Sequence, residues 1–185
     1  MAPIIGIMAS QISGHLWPAN SYESISTVNV SSGTSSISLT SIPSTYTHLQ
    51  LRGIALTSTN QNIGLRFNSD TGGNYNTHSL VGNGSSVVAG ATGTSDTNIY
   101  PISAYWGTGA TYPAAFVIDI LDYANTNKYK VIRSLAGRNT NGGNEEVSLL
   151  SGLWRNTGAI TSITLVGTGG TNIDTNSSFE LYGIK

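Results

Sequence analysis

The chain has 185 residues and a formal net charge of −1, and only 9% of its residues are charged, against about 25% in ordinary soluble domains. Serine, threonine and asparagine supply 64 residues, so hydroxyls and amides carry most of the polarity. Five arginines and three lysines are too few for a phosphate-binding surface, the lack of cysteine excludes disulfides and thiolate metal sites, and no apolar run is long enough to insert into a membrane.

Residues 1–20 differ from the rest of the chain. Their apolar side chains follow the i, i+3, i+4, i+8 spacing of a helix, interrupted by Gly6 and Gly14. We interpret this segment as an apolar N-terminal docking arm, with a first strand or helix that covers one end of the core as the alternative. The candidate docking residues are Ile4, Ile5, Ile7, Met8, Ile12, Leu16 and Trp17.

Residues 21–185 carry the pattern of an all-β domain. Short segments of alternating or continuous apolar residues are separated by clusters of glycine, asparagine and serine, a spacing typical of an antiparallel β-sandwich or barrel. About ten strands are predicted, at residues 36–42, 48–56, 63–67, 75–81, 97–105, 114–121, 128–136, 147–154, 160–166 and 178–184.

Two strands carry more specific expectations. The apolar phase of residues 48–56 shifts around Gly53, which predicts a β-bulge there. Residues 114–121 are apolar on both faces, which indicates a strand in the middle of the fold.

The charged residues give no catalytic or metal-binding pattern, so we predict no catalytic residues, no metal site and no cofactor. Asp119 and Asp122 lie three residues apart on a strand and its following turn, and should point to different sides. Asp119 is expected to pair with Arg133, and the Asp122 side chain to cap the turn that follows. His48 is expected to face solvent, and Glu145-Glu146 to lie in a solvated loop.

Aromatic residues near the middle of the chain are candidates for ligand binding. Tyr105, Trp106 and Tyr112 lie in a stretch rich in glycine and threonine, where exposed rings could stack on a neutral glycan. The alternative, which we favour, is that these rings fill the edge of the sandwich or a subunit interface.

Five segments of the sequence stand out together: IIGIMASQISGHL (residues 4–16), SIPSTYTHLQLR (41–52), DILDYANTNKYK (119–130), SGLW (151–154) and SFELYGIK (178–185). With these segments, the chain resembles a family of virion proteins of tailed bacteriophages from aquatic bacteria, including cyanobacteria. These motifs are typical of a fold and a virion context, and none of them marks a catalytic site.

The resemblance implies a jelly-roll-like sandwich, often trimeric, on the surface of the phage particle, with other virion proteins as partners. The resemblance does not decide between the tail and the head of the particle. Our interpretation is a non-enzymatic tail fibre or adhesion module that is anchored by the N-terminal arm, with a host-surface glycan as a candidate partner. A capsid decoration (cement) protein is the alternative within this class. A carbohydrate-active enzyme or lectin is the alternative from another class.

Overall fold

The computed structural model describes residues 21–59, 61–102, 112–140 and 145–185. These residues form strands and turns, with one short 3-10 turn at Thr168–Gly170. The strands are β1 (Tyr22–Asn29), β2 (Ser36–Leu39), β3 (His48–Ala55), β4 (Ile63–Phe67), β5 (Tyr75–Gly82), β6 (Val87–Ala91), β7 (Ile99–Ile102), β8 (Ala114–Leu121), β9 (Lys130–Arg138), β10 (Glu146–Trp154), β11 (Ile163–Gly167) and β12 (Ser178–Ile184). The predicted all-β class is confirmed.

The strands form two antiparallel sheets that pack as a β-sandwich. The larger sheet has eight strands in the order β1-β12-β3-β8-β9-β10-β5-β6, and the smaller has four in the order β2-β11-β4-β7. The chain crosses between the sheets after each of β1 to β4, and again on either side of β7 and of β11. Consecutive strands thus lie mostly in opposite sheets, and they bury one face of each sheet between them.

The core follows from the period-2 alternation of the strands. In β8, Phe116, Ile118 and Ile120 point inward and are buried, whereas the residues between them lie on the other face of the sheet. In β9, Lys130, Ile132 and Ser134 take the inward positions. The prediction that β8 is a middle strand is confirmed, because it is fourth in the eight-stranded sheet.

Two described strands were missed in the sequence. β1 is mostly polar and pairs with β12 at one edge of the large sheet. β6 is short, contains a glycine, is exposed along its whole length, and lies at the opposite edge. Neither strand has the alternation of apolar and polar residues that the periodicity criterion detects, because β1 is mostly polar and no side chain of β6 is buried.

The bulge predicted at Gly53 is wrong. Gly53 pairs with Phe179 on one side and with Phe116 on the other, and both registers continue past it without a shift. A Cβ atom at this position would lie 1.9 Å from the main-chain carbonyl oxygen of Ser178. The glycine is therefore required by the close approach of β12, and it leaves the register unchanged.

A clamp of polar groups closes the turn between β4 and β5. The Asp70 carboxylate accepts hydrogen bonds from Trp154 Nε1 (2.8 Å), Asn74 Nδ2 (2.9 Å) and the main-chain N–H of Gly72 (2.8 Å). Burial alone would raise the pKa of Asp70, but these three donors outweigh it and hold the pKa below its usual value. Tyr75, whose hydroxyl donates to the Asp70 carbonyl oxygen at 3.1 Å, has a pKa raised to about 12 by burial.

A buried lysine anchors the start of β9. Lys130 is 1% exposed, and its ammonium donates to the main-chain carbonyl oxygens of Asn125 (2.5 Å), Lys128 (3.0 Å) and Thr157 (3.0 Å). Burial, with a smaller contribution from the nearby Lys128 ammonium, lowers the pKa of Lys130. Three carbonyl groups thus take the place of a carboxylate partner and tie two loops to one strand.

Candidate functional site

Most of the site residues predicted from sequence lie outside the described residues. This holds for Tyr105 and Trp106, and for the seven candidate docking residues Ile4, Ile5, Ile7, Met8, Ile12, Leu16 and Trp17. Tyr112 is described, and its side chain is exposed just before β8. The docking arm and the aromatic ligand site therefore stay predictions.

The carboxylates singled out in the sequence form separate ion pairs. Asp119 pairs across the strands with Arg133, whose Nη2 lies 2.9 Å from Asp119 Oδ2, as predicted. Asp122 follows the last residue of β8, and its carboxylate is bonded to the Lys128 ammonium. This bond is the main reason why the pKa of Asp122 lies below the usual value. Its main-chain carbonyl, and not its side chain, accepts the turn hydrogen bond from Asn125, so the capping prediction is wrong.

Two other polar residues differ from their predicted solvent-facing positions. His48 is half-buried, and its Nδ1 accepts a hydrogen bond from the main-chain N–H of Asp122 at 3.0 Å. Glu146 belongs to β10, and its Oε2 lies 2.7 Å from Arg138 Nη2, with only 14% of the Glu146 side chain exposed. The main chain places Glu146 directly opposite Arg138 on β9, and this pairing withdraws both from solvent.

The outer surface of the large sheet, the face that points away from the small sheet, is unusually apolar. Cross-strand pairing aligns Leu135, Leu149 and Leu80 in one row over β9, β10 and β5. Val147 lies in the adjacent row. We call this surface the outer apolar face; its large exposed residues are Ile54, Leu80, Val87, Leu121, Val131, Leu135, Val147 and Leu149.

The outer apolar face contains two open depressions. One, of about 630 Å³, lies over β3, β8 and β9 and is lined by Ile54, Val117 and Leu135. The other, of about 560 Å³, lies over β5, β9 and β10 and is lined by Leu80, Val131 and Leu149. Concave apolar surfaces of this kind are shaped to receive side chains of a partner.

The charges on this face are engaged within the chain. Arg133 is paired with Asp119, and Gln50 Nε2 donates to Asp119 Oδ1 at 2.8 Å. The Arg52 guanidinium stacks on the Tyr182 ring, 4.2 Å from its centroid.

The sequence pattern that corresponds to the outer apolar face is the presence of apolar residues on both faces of a strand. β8 is apolar on both faces, and so is the leucine-rich segment VSLLSGLW at residues 147–154. This pattern is typical of strands that are buried on both sides. In the described structure only one side is covered, by the small sheet. The apolar side chains on the other side stay exposed in the described structure.

No family model matches this chain, and no curated protein resembles it closely enough in sequence to count as a relative. Within the described ranges, His, Asp and Glu side chains do not gather in any group of three that could hold a metal ion. The described part of the chain also has no helix of the length and apolarity needed to cross a membrane. The outer apolar face, with its eight large exposed apolar side chains, is the main candidate site.

Proposed function

We propose that this chain is a non-enzymatic structural protein of a bacteriophage virion, exposed on the tail as a fibre or adhesion module and anchored by residues 1–20. The outer apolar face is the observation that carries the proposal, because a face of this size is typical of a protein that works in an assembly. The five segments that resemble phage virion proteins supply the context.

The occupant of the outer apolar face in this proposal is a second copy of the chain, within a homotrimer. The ionic groups of the face are engaged within each copy, and the formal net charge of −1 means that copies repel one another only weakly. Copies that meet through this face would bury its apolar side chains, while the Asp119–Arg133 pair stays intact within each copy. Closed symmetry also limits growth into fibres, which an apolar sheet would otherwise promote.

The strand order supports a jelly-roll description of the sandwich. A jelly roll has two packed four-stranded sheets built from two Greek keys. The small sheet β2-β11-β4-β7 supplies one set, and the contiguous strands β1-β12-β3-β8 of the large sheet supply the other. In this reading, β9, β10, β5 and β6 extend the large sheet beyond β8.

Substitution at the centre of the outer apolar face tests the assembly. In Leu149→Lys a charge replaces a side chain that lies between Leu135 and Leu80, and sedimentation should show monomers where the unmodified protein forms trimers. The matched control is Val88→Lys. Val88 is also exposed but lies on the opposite side of β6 from Val87, so it should leave the trimer intact.

The two outcomes have different meanings. A folded, monomeric Leu149→Lys protein beside a trimeric Val88→Lys protein supports the proposed interface. If the unmodified chain is a monomer at all accessible concentrations, or if Leu149→Lys remains trimeric, the outer apolar face is not the trimer interface.

Location in the particle separates the tail module from capsid decoration. A decoration protein should follow the capsid lattice, in hundreds of copies, whereas a fibre should be present as a few trimers. Electron cryo-microscopy of the particle counts the copies directly. Deletion of residues 1–18 should prevent incorporation while the sandwich stays folded, if the arm is the anchor.

A further inference from the structure

The two edges of the eight-stranded sheet differ in how well they are protected against pairing with another strand. Native edge strands are commonly protected by charged side chains, proline or bulges. β1 has a register shift between Ser24 and Ser26, and its Glu23 carboxylate forms an ion pair with Lys185 at 3.3 Å. β6 (Val87–Ala91), at the opposite edge, has no charged residue, no proline and a regular register, and its side chains are exposed along its whole length. β6 therefore has the features of a strand that accepts another strand.

The main chain of β6 has unbonded hydrogen-bonding groups at the edge of the sheet. Just beyond β6, the N–H of Thr92 donates to the carbonyl oxygen of Thr77, before β5 residue His78, at 2.8 Å. Bonded pairs alternate along an antiparallel ladder, so Val88 and Gly90 are the residues of β6 whose main-chain groups face β5. The main-chain groups of the alternate residues face away from β5, and no described residue bonds them; these residues are Val87, Ala89 and Ala91.

Both sides of β6 are open to an approaching strand. Val88, on the inward side, is 57% exposed, and Val87, on the outward side, is 69% exposed. The described residues of the small sheet therefore do not cover β6. A second strand can pair with the free edge without displacing any of them.

The sequence of β6 is complementary to itself in the antiparallel direction. When two copies are aligned with Ala89 opposite Ala89, Val87 faces Ala91 of the second copy. In the same alignment, Val88 faces Gly90. Each valine meets a small residue, and no like charges come together. The main-chain groups of Ala89 also lie opposite those of the second Ala89, as a bonded pair requires.

We propose that β6 pairs with β6 of a second copy, antiparallel and centred on Ala89, so that two eight-stranded sheets join into one. Leu80 lies beside Ala89 on β5, so the outer apolar face continues across the junction. The contact has two-fold symmetry, and it uses up the unprotected edge and leaves β1 at both ends of the joined sheet.

This inference goes beyond the proposed trimer, because it uses the sheet edge and not the outer apolar face. A two-fold contact does not occur inside a three-fold trimer, so the pairing joins copies that belong to different trimers. Two five-residue strands form a contact smaller than the roughly 1,200 Å² of stable interfaces. The pairing is therefore weak between single copies in dilute solution, and it becomes stronger where several copies present their edges together.

Disulfide trapping tests the pairing and its register on the full chain, which has no cysteine of its own. In the double variant Val88→Cys/Gly90→Cys, each thiol faces a thiol of the second copy across a pair without main-chain bonds. The Cα atoms of such a pair lie about 4.5 Å apart, within the range of a disulfide. Oxidation with oxidised glutathione should give a covalent dimer on a denaturing gel. Val88→Cys alone should give much less, because its two thiols lie diagonally across the pair.

A proline at the centre of β6 tests the main-chain pairing in the same cysteine background. Ala89→Pro removes an N–H that faces the second copy and no bond to β5, and proline is tolerated on strand edges. We expect loss of the covalent dimer. The matched control is Thr27→Pro on β1, whose N–H also faces a free edge, because Val30 donates to Ser177 in the same register. Thr27→Pro should leave the dimer unchanged.

Circular dichroism and thermal unfolding of the reduced proteins check that the variants are folded. A Cβ atom at Gly90 would lie 3.1 Å from Ser79 Oγ, a hydroxyl that can rotate away, so we expect the double variant to fold. The proposal is overturned if the folded double variant gives no covalent dimer, or if Val88→Cys alone gives as much. It is also overturned if folded Ala89→Pro gives the dimer as readily as Thr27→Pro does.

The Leu149→Lys background separates this proposal from the trimer. Cross-linking at high protein concentration should persist there, because Leu149 lies on the outer apolar face and not at the β6 edge. A protein that forms trimers but no cross-link would overturn the β6 pairing alone. A protein that forms the cross-link but no trimer would overturn the proposed trimer and support the β6 pairing.

Discussion

The two faces of the eight-stranded sheet are both apolar, but only one of them is covered within the chain. On the inner face, Ile118 and Ile132 are fully buried against the small sheet. On the outer face of the same strands, Leu135 and Leu149 remain about half exposed. The contrast separates two uses of apolar residues: the inner set holds the domain together, and the outer set is available to hold copies of the domain to one another.

This contrast has a physical consequence for mutations. A side chain contributes to the stability of the isolated domain in proportion to the apolar area that folding removes from water. Residues on the inner face have already gained that contribution, whereas those on the outer face gain most of theirs only when a partner covers them. Substitutions on the inner face should therefore change the free energy of unfolding of the single domain. Substitutions on the outer face should change the association between copies.

The largest expected effect is on the inner face. Ile118→Ala should lower the free energy of unfolding by about 2–5 kcal/mol, because it leaves a cavity in a fully buried site. The matched change Leu135→Ala, on the outer face of the adjacent strand, should cost the monomer less than about 1 kcal/mol. Urea unfolding in dilute solution, where sedimentation shows monomers, measures both values.

The same pair should give the reverse order in assembly. Leu135→Ala should raise the trimer dissociation constant more than Ile118→Ala does, as measured by sedimentation at several concentrations. If Leu135→Ala destabilises the monomer as much as Ile118→Ala, then the outer face is covered within the single chain, and the comparison between the faces fails.

A second expected effect contrasts two cations on β9. Lys130 faces inward and donates to three carbonyl oxygens, whereas Arg133 faces outward in a partly exposed ion pair. Lys130→Met should lower the free energy of unfolding by about 1–3 kcal/mol, because it leaves buried acceptors unbonded. Arg133→Met should cost less than about 1 kcal/mol, since exposed ion pairs contribute little.

Thermal and urea unfolding of both variants, at neutral pH, checks this difference. A Lys130→Met protein as stable as the unmodified one would mean that the cost of burying the ammonium cancels the gain from its hydrogen bonds. Substitution of Lys130, at the inner position, would then not lower the free energy of unfolding more than substitution of Arg133, at the outer position.

How far the sequence predicted the fold depends on where each strand lies in the sheets. The central strands could be found because burial imposes a period of two on their side chains, and the ranges 63–67, 114–121 and 178–184 agree to the residue. β1 and β6 could not, because none of their side chains is buried and so nothing imposes that period on them. The Gly53 prediction shows the other limit: a glycine in a strand has several causes, and only the position of β12 distinguishes a bulge from a close approach.

The candidate site was harder to predict than the fold. The Asp119–Arg133 pair could be predicted, because both residues lie on neighbouring strands joined by a turn. The outer apolar face could not, since it is assembled from strands whose order is set by long-range pairing, such as β10 with β5.

The smallest expected effect concerns how the free energy of unfolding changes with pH because of the Asp70 carboxylate, in the turn between β4 and β5. The pKa of Asp70 is lower in the folded protein than the ordinary value of about 4, because the hydrogen bonds from Trp154, Asn74 and Gly72 outweigh the effect of burial. The stabilisation from this group is therefore present above pH 4 and is lost as the pH falls through the folded-state pKa. Asp70→Asn should be less stable than the unmodified protein at pH 6, and this difference should shrink toward pH 3. The free energies of unfolding of both proteins, measured between pH 6 and pH 3, check this prediction. A constant difference would mean that the Asp70 charge does not strengthen the clamp on Trp154, and that this end of the inner face is held by packing alone.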